Sequence, residues 1–133
     1  MRFYSLYGRS VGVVRMSEIT TPAGGVRFIN LTPHPVVIFT DNDRVKIPPS
    51  GVVIRLKEIK EKIGTVNGVP IFRKKMVAEE GAFLPPQEEG TLYIVSLPVA
   101  LAFRERQDFV IPDDLVRDNE GRVIGCRALA RPE

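Results

Sequence analysis

A chain of 133 residues, 44% hydrophobic and 26% charged, fits one globular domain and argues against global disorder. Its single cysteine and single histidine exclude an internal disulfide and leave too few ligands for a usual zinc site, so neither a metal nor a cofactor is expected. The net charge of +3 permits contact with nucleic acid without requiring it, and no apolar run approaches the roughly 18 residues needed to cross a bilayer, so no membrane partner is expected.

Residues 1–24 separate from the remainder. Phe3, Tyr4, Leu6 and Tyr7, then Val11, Val13 and Val14, suit strands around Gly8. The segment ends in Thr20-Thr21-Pro22-Ala23-Gly24-Gly25, a loop by composition. The expectation is an N-terminal arm or pair of edge strands over 1–24, paired within the chain or exchanged between subunits, and one β-rich domain over 25–133. This N-terminus lacks the apolar block of a signal peptide, which points to the cytoplasm, or to the host cytoplasm for a viral protein. Eleven prolines against four asparagines and two glutamines lean toward the composition favoured at high growth temperature.

Val26 to Thr40 organises the rest of the chain. Val26, Phe28 and Asn30 alternate with Arg27 and Ile29, the period of an extended chain. Thr32 and His34 each precede a proline and are pushed out of the helical region, so the chain bends there without coiling. Val36 to Phe39 is a second short strand, and the Asp41-Asn42-Asp43 turn returns it to Arg44–Ile47 as a hairpin. After Pro48-Pro49-Ser50-Gly51, an apolar strand is expected over Val52 to Leu56.

The next stretch, Lys57 to Lys62, reads as a strand or a single helical turn, and Asn67-Gly68 ahead of it is the strongest short hairpin signal in the chain. Pro70 is compatible with that hairpin, because opposite Thr65 its missing amide would point away from the partner strand. Glu79 to Gly90 reads as a surface loop. Thr91 to Ser96 reads as a central strand with two apolar faces. Ser96 and Pro98 open the one expected helix, over 97–106. Phe109 to Ile111 is extended, Pro112-Asp113-Asp114 is expected to turn, and Asp118-Asn119-Glu120-Gly121 joins a last pair of strands. The fold class is therefore mainly β, a single-domain antiparallel sheet or small barrel with one short helix.

Asn30-Leu31-Thr32-Pro33-His34-Pro35, Pro48-Pro49-Ser50-Gly51, Gly90 to Ser96, Asp114-Leu115-Val116-Arg117-Asp118 and Gly121 to Arg127 together resemble a group of small uncharacterised proteins of bacteria, their phages and archaeal viruses. The resemblance covers Gly25 to Arg131. It implies a mobile-element accessory protein and transfers no catalytic residue.

Three sets of residues are candidates for function. His34, held between prolines, is either a titrating group of a small hydrolase or ligand site, or a structural peg whose imidazole bonds a carbonyl at the corner. A shared cleft of His34, Asp114 and Arg127 would favour the former. A triad of Ser96 or Cys126 with His34 and Asp113 or Asp114 lacks any nucleophile motif, and Cys126 fits a small core residue. Asp113 and Asp114 beside Arg117 suit turn caps or a surface ion pair. Lys57, Lys60, Lys62, Arg73, Lys74 and Lys75 form a basic hairpin able to approach phosphates, although edge-strand solubility accounts for the same side chains. The leading expectation is a non-enzymatic binding or assembly module that forms a homo-oligomer through its sheet edge or N-terminal arm. Nucleic-acid binding by the basic hairpin is the alternative.

Overall fold

A computed structural model of the chain describes residues 25–133, and the arm expected over 1–24 lies outside them. The elements run β1 (Arg27–Asn30), β2 (Val36–Phe39), β3 (Arg44–Ile47), β4 (Leu56–Val66), β5 (Val69–Ala78), β6 (Thr91–Ile94), α1 (Leu97–Ala102), β7 (Phe109–Arg117) and β8 (Val123–Ala130). The chain is mainly β, as its short alternating segments predict, and no described helix is long and apolar enough to cross a membrane.

Six strands form one sheet in the order β1-β6-β7-β8-β2-β3. The β2–β3 and β7–β8 pairs are antiparallel hairpins, whereas β1–β6, β6–β7 and β8–β2 run parallel. Parallel partners need long connections, so these pairings are invisible to a reading of local turns. The two outer strands then meet. Asn30 at the end of β1 bridges Pro49 just past β3, and the Ser50 amide donates to the Asn30 carbonyl at 2.9 Å. The sheet is thereby nearly closed into a small barrel.

Asn30 makes this closure with its side chain as well. Its Nδ2 donates to the carbonyls of His34 at 2.8 Å and Ile47 at 3.1 Å. Its Oδ1 accepts from the Thr32 amide at 2.8 Å and the Thr32 hydroxyl at 2.7 Å. Two donors and two acceptor positions are all the amide has, so a residue only 1% exposed is fully satisfied. The proline-framed bend is pinned by the asparagine that precedes it.

Two clusters of apolar residues line the two faces of the sheet. Val36, Ile47, Ile94, Val110 and Cys126, with Phe28, Ile38, Val45, Leu92 and Leu129 around them, draw on all six strands and fill the barrel. Leu31, Ile54, Tyr93, Val95, Val99, Ala100 and Phe109 form the second cluster outside it, beneath α1. In β6, Ile94 faces the first cluster while its neighbours Tyr93 and Val95 face the second, which explains a strand with no polar face. The seam between β2 and β8 rests on one paired position, Ile38 with Cys126. Gly125 makes that approach feasible, because a Cβ there would stand 2.5 Å from the Phe39 ring and 2.8 Å from the Val37 carbonyl oxygen.

Three local expectations are corrected. The helix ends at Ala102, short of 106: Phe103 turns out of helical geometry to set its ring edge-on to Phe109 at 6.0 Å, and Arg106 turns toward Asp108. Val52 to Arg55 is not a strand: Ile54 is buried in the outer cluster, but the segment pairs with no named strand. Pro112 to Asp114 does not turn the chain. β7 continues through it: Phe109 and Val110 pair with β6, pairing with β8 begins at Ile111, and Asp114 at φ 53° interrupts the β8 ladder between Asp113 and Leu115 without turning the chain.

Replacing Asn30 with Ala leaves the His34 and Ile47 carbonyls and the Thr32 amide without their partner and is expected to cost about 2–4 kcal/mol in urea unfolding. Asn30→Asp, which turns a buried carboxylate oxygen toward the His34 and Ile47 carbonyls, should cost at least as much. A loss below about 1 kcal/mol for Asn30→Ala would mean that the ring is held shut by other contacts.

Candidate nucleic-acid interface

Among the described residues, the second sheet consists of β4 and β5. Asn67 at φ 51° and Gly68 at φ 81° take the left-handed conformations of a two-residue reversal, with Val66 opposite Val69 and Thr65 opposite Pro70. Pro70 therefore sits where no ladder bond is required of it. A register shift between Lys62 and Gly64 leaves Ile63 as an extra residue, a bulge that increases the local twist. At about 3.4 Å per residue, strands of 11 and 10 residues make a ribbon on the order of 35 Å long.

Every residue from Lys57 to Met76 is exposed, on both faces of the ribbon. Among the described residues, its root attaches it to the body: Leu56 packs on the outer cluster, β5 touches α1, and the Glu79 amide donates to the Arg55 carbonyl at 3.0 Å. A two-stranded ribbon without a covered face gains little from its own contacts, so its length needs a reason other than core formation.

The six cations expected in this stretch are all on the ribbon. Pairing puts Lys60, Lys62 and Lys74 on one face and Lys57, Arg73 and Lys75 on the other. With Glu58 and Glu61 counted, the ribbon carries +4 of a chain whose net charge is +3, so the remainder is slightly acidic. Lys60 lies directly opposite Lys74, an arrangement that repels. Lys74 meets Glu58 at 2.7 Å and Lys60 lies 4.5 Å from the centre of the Phe72 ring, which relieves the repulsion without removing it. Arg73 pairs with Glu61 at 3.4 Å. Lys57, Lys60, Lys62 and Lys75 have no ion pair among the described residues. The hydrogen bond and charge of Lys74 hold the Glu58 carboxyl below its usual range, with Lys60 adding to the effect.

His34 is elsewhere and is exposed; its backbone carbonyl, not its imidazole, takes part in the corner. The expectation that the imidazole pegs the bend is corrected: no described residue bonds the ring, and the neighbouring asparagine, an amide with donors and acceptors on one head, does the pegging. His34, Asp114 and Arg127 share no hydrogen bond or ion pair, and all three are exposed. Cys126 is buried at 1% exposure, and burial raises its thiol pKa, the opposite of an activated nucleophile. Asp113 and Asp114 form no ion pair with Arg117, whose guanidinium donates to the Gly121 carbonyl. Asp118 is the turn-capping carboxylate, accepting from the Glu120 and Arg122 amides.

Sequence reasoning missed a cleft of about 640 Å³ between the end of α1 and the end of β8, bordered by Arg104, Arg106 and Arg131. Two of its cations are already engaged. Arg106 binds Asp108 through two bonds of 2.8 and 2.7 Å and stacks over Phe109 at 4.4 Å, while Arg131 donates to the Gln107 carbonyl. Both are ties between neighbouring segments. No protein family, curated protein or solved structure matches the chain.

Glu58, with its pKa depressed in the folded ribbon, contributes stability above the ordinary carboxylate range that is lost as pH falls through its lowered value. The protection factors of the amides around Lys60 and Lys74, measured by NMR exchange against intrinsic rates at each pH, are expected to fall as the pH is lowered through that range, and the step should vanish in Glu58→Gln. An identical step in the variant would assign it to another carboxylate.

Proposed function

We propose that this protein is a non-enzymatic binding module, of the accessory kind that its resemblance implies, and that the β4–β5 ribbon engages duplex DNA. The supporting observation is the separation of charge: a ribbon exposed from Lys57 to Met76 and carrying +4, on an otherwise slightly acidic barrel. Core formation needs no such projection, and solubility alone does not call for two lysines facing each other across a ladder. A two-stranded ribbon fits within a DNA groove, and cations on both of its faces would meet the phosphates of both groove walls. Counterion release then supplies the affinity.

The ribbon is poor in side chains that read bases. Its one arginine is engaged by Glu61, and Asn67 is its only amide side chain. Binding is therefore largely indifferent to base identity and governed by phosphate contacts and duplex shape.

Self-assembly is the second reading, and it rests on a different surface. Leu115, Val123 and Ile124 stand 45–50% exposed at the far end of the β7–β8 hairpin, an apolar patch suited to a second copy. Ribbon-to-ribbon pairing between copies is disfavoured, since it would set +4 against +4.

Four unpaired lysines and part of the paired cations predict a log–log salt slope of about −4 to −5 for binding a 30-base-pair duplex, measured by fluorescence anisotropy. Lys60→Glu, Lys62→Glu and Lys75→Glu together should flatten the slope by about three and abolish binding at moderate salt, with unfolding of the barrel unchanged. Binding that ignores salt, or that survives the triple change, would remove the proposal. Sedimentation of the full chain and of Ile124→Lys decides the second reading: a dimer lost in the variant supports it, and a monomer throughout discards it.

A further inference from the structure

The ribbon is divided in a way that phosphate binding does not explain. All its charges lie on the stem, between Lys57 and Lys62 and between Arg73 and Lys75, and no charged residue occurs from Ile63 to Phe72. That outer third carries Ile63, Val66, Val69, Pro70, Ile71 and Phe72. The exposures of Ile63, Val66 and Val69 are 51, 59 and 58%, and those of Ile71 and Phe72 are 40 and 42%. A tip that only marked the end of a solubilising arm would be polar. This one forgoes burial at five large apolar side chains, each able to contribute about 1.5–3 kcal/mol if covered.

We infer that the tip is a wedge: on the reading that the stem binds duplex DNA, Val66, Val69 and Pro70 enter between adjacent base pairs and bend the duplex away from the barrel. The turn is held open by φ values that Asn67 and Gly68 adopt at little cost, so the narrow end is formed before contact and ordering it costs little on binding. Val66 and Val69 are directly paired across the ladder, and Pro70 comes next with no amide to leave unsatisfied. Stiff, compact, apolar side chains of this kind partly unstack a base step, and the unstacking is offset by the protein surface that the bent duplex can then reach. The arrangement selects for deformability: steps that unstack readily, such as TA, are favoured where the tip enters, although no side chain reads them.

An anionic membrane would also receive cations and an apolar tip, but the distribution of charge favours a rod-shaped polyanion. The stem cations extend about 17 Å along the ribbon axis, roughly twice the screening length at physiological salt. A ribbon standing with its tip in a bilayer would use only the charges nearest the surface. A ribbon lying along a groove uses all of them. The described ribbon also has neither Trp nor Tyr, the side chains that settle at a lipid interface.

The test uses the full chain with a 30-base-pair duplex carrying fluorophores at its ends and a central TA step. The wild-type chain is expected to raise energy transfer between the ends on binding. Val66→Ser with Val69→Ser should keep the salt slope of the wild type, lose the energy-transfer change and weaken binding by about tenfold or more. Both positions are exposed, so thermal unfolding should be unaltered, and Pro70→Ala gives an independent lesion with the same expected direction. Salt-dependent binding by the wild type without bending would overturn the wedge and leave the DNA-binding reading standing. No binding to duplex at any salt would overturn both. Equal bending by the wild type and the Ser variant would assign the bend to the stem and remove the wedge. Tight binding to phosphatidylserine vesicles with none to duplex would replace DNA by a lipid surface as the partner.

Discussion

Closure of the barrel depends on one side-chain amide. Asn30 ends the first strand, and from there it holds the carbonyls of the bend behind it and of the strand across the gap, while its own acceptor fixes Thr32. Without that set of bonds β1 and β3 would be two free edges, each with an unpaired row of donors and acceptors inviting another chain. With it, the two outer strands meet at one bridged position, Asn30 with Pro49, and the sheet is nearly closed.

The projecting element is the β4–β5 ribbon, and its energetics differ from those of the barrel in kind. The barrel gains from ten or so apolar residues converging from six strands on one interior, with Gly125 allowing the closest approach at the β2–β8 seam. The ribbon has no interior, and it tolerates a lysine pair that an ordinary surface would avoid. Its stability comes from the ladder, the reversal at Asn67-Gly68 and the anchoring of its root on the outer cluster. Such an element is rigid enough to present side chains and too thin to bury them. It has local order without a core of its own, and both of its faces are exposed from Lys57 to Met76.

The charge balance shows the same division. The Arg106 and Arg131 cations on the barrel are tied to a carboxylate and a carbonyl beside them and fasten segments to one another. Four ribbon lysines are not tied in this way. A count of basic residues treats the two groups alike. Their partners distinguish a cation used to hold the fold from one left available to a ligand.

How much of this could be read in the residues depends on the range of the interaction concerned. Strand and turn positions are written locally: the proline pairs around His34, the Asn67-Gly68 reversal, the apolar β6 and the Ser96-Leu97-Pro98 helix start all act through φ restriction or side-chain alternation within a few residues, and each is found where those rules put it. The basic stretch was legible as well, as was the tolerance of Pro70 opposite Thr65. What no local rule contains is the partner of each strand. The parallel pairings and the passage of β7 from β6 to β8 after Val110 arise from contacts between segments far apart in the chain, and the early end of α1 from the packing of Phe103 on Phe109, which helix signals alone do not contain. The same holds for the corner, where the sequence draws attention to His34 because its chemistry is versatile. Only the folded chain brings the Ile47 carbonyl beside Asn30, making the amide the buried tie and leaving the imidazole in solvent.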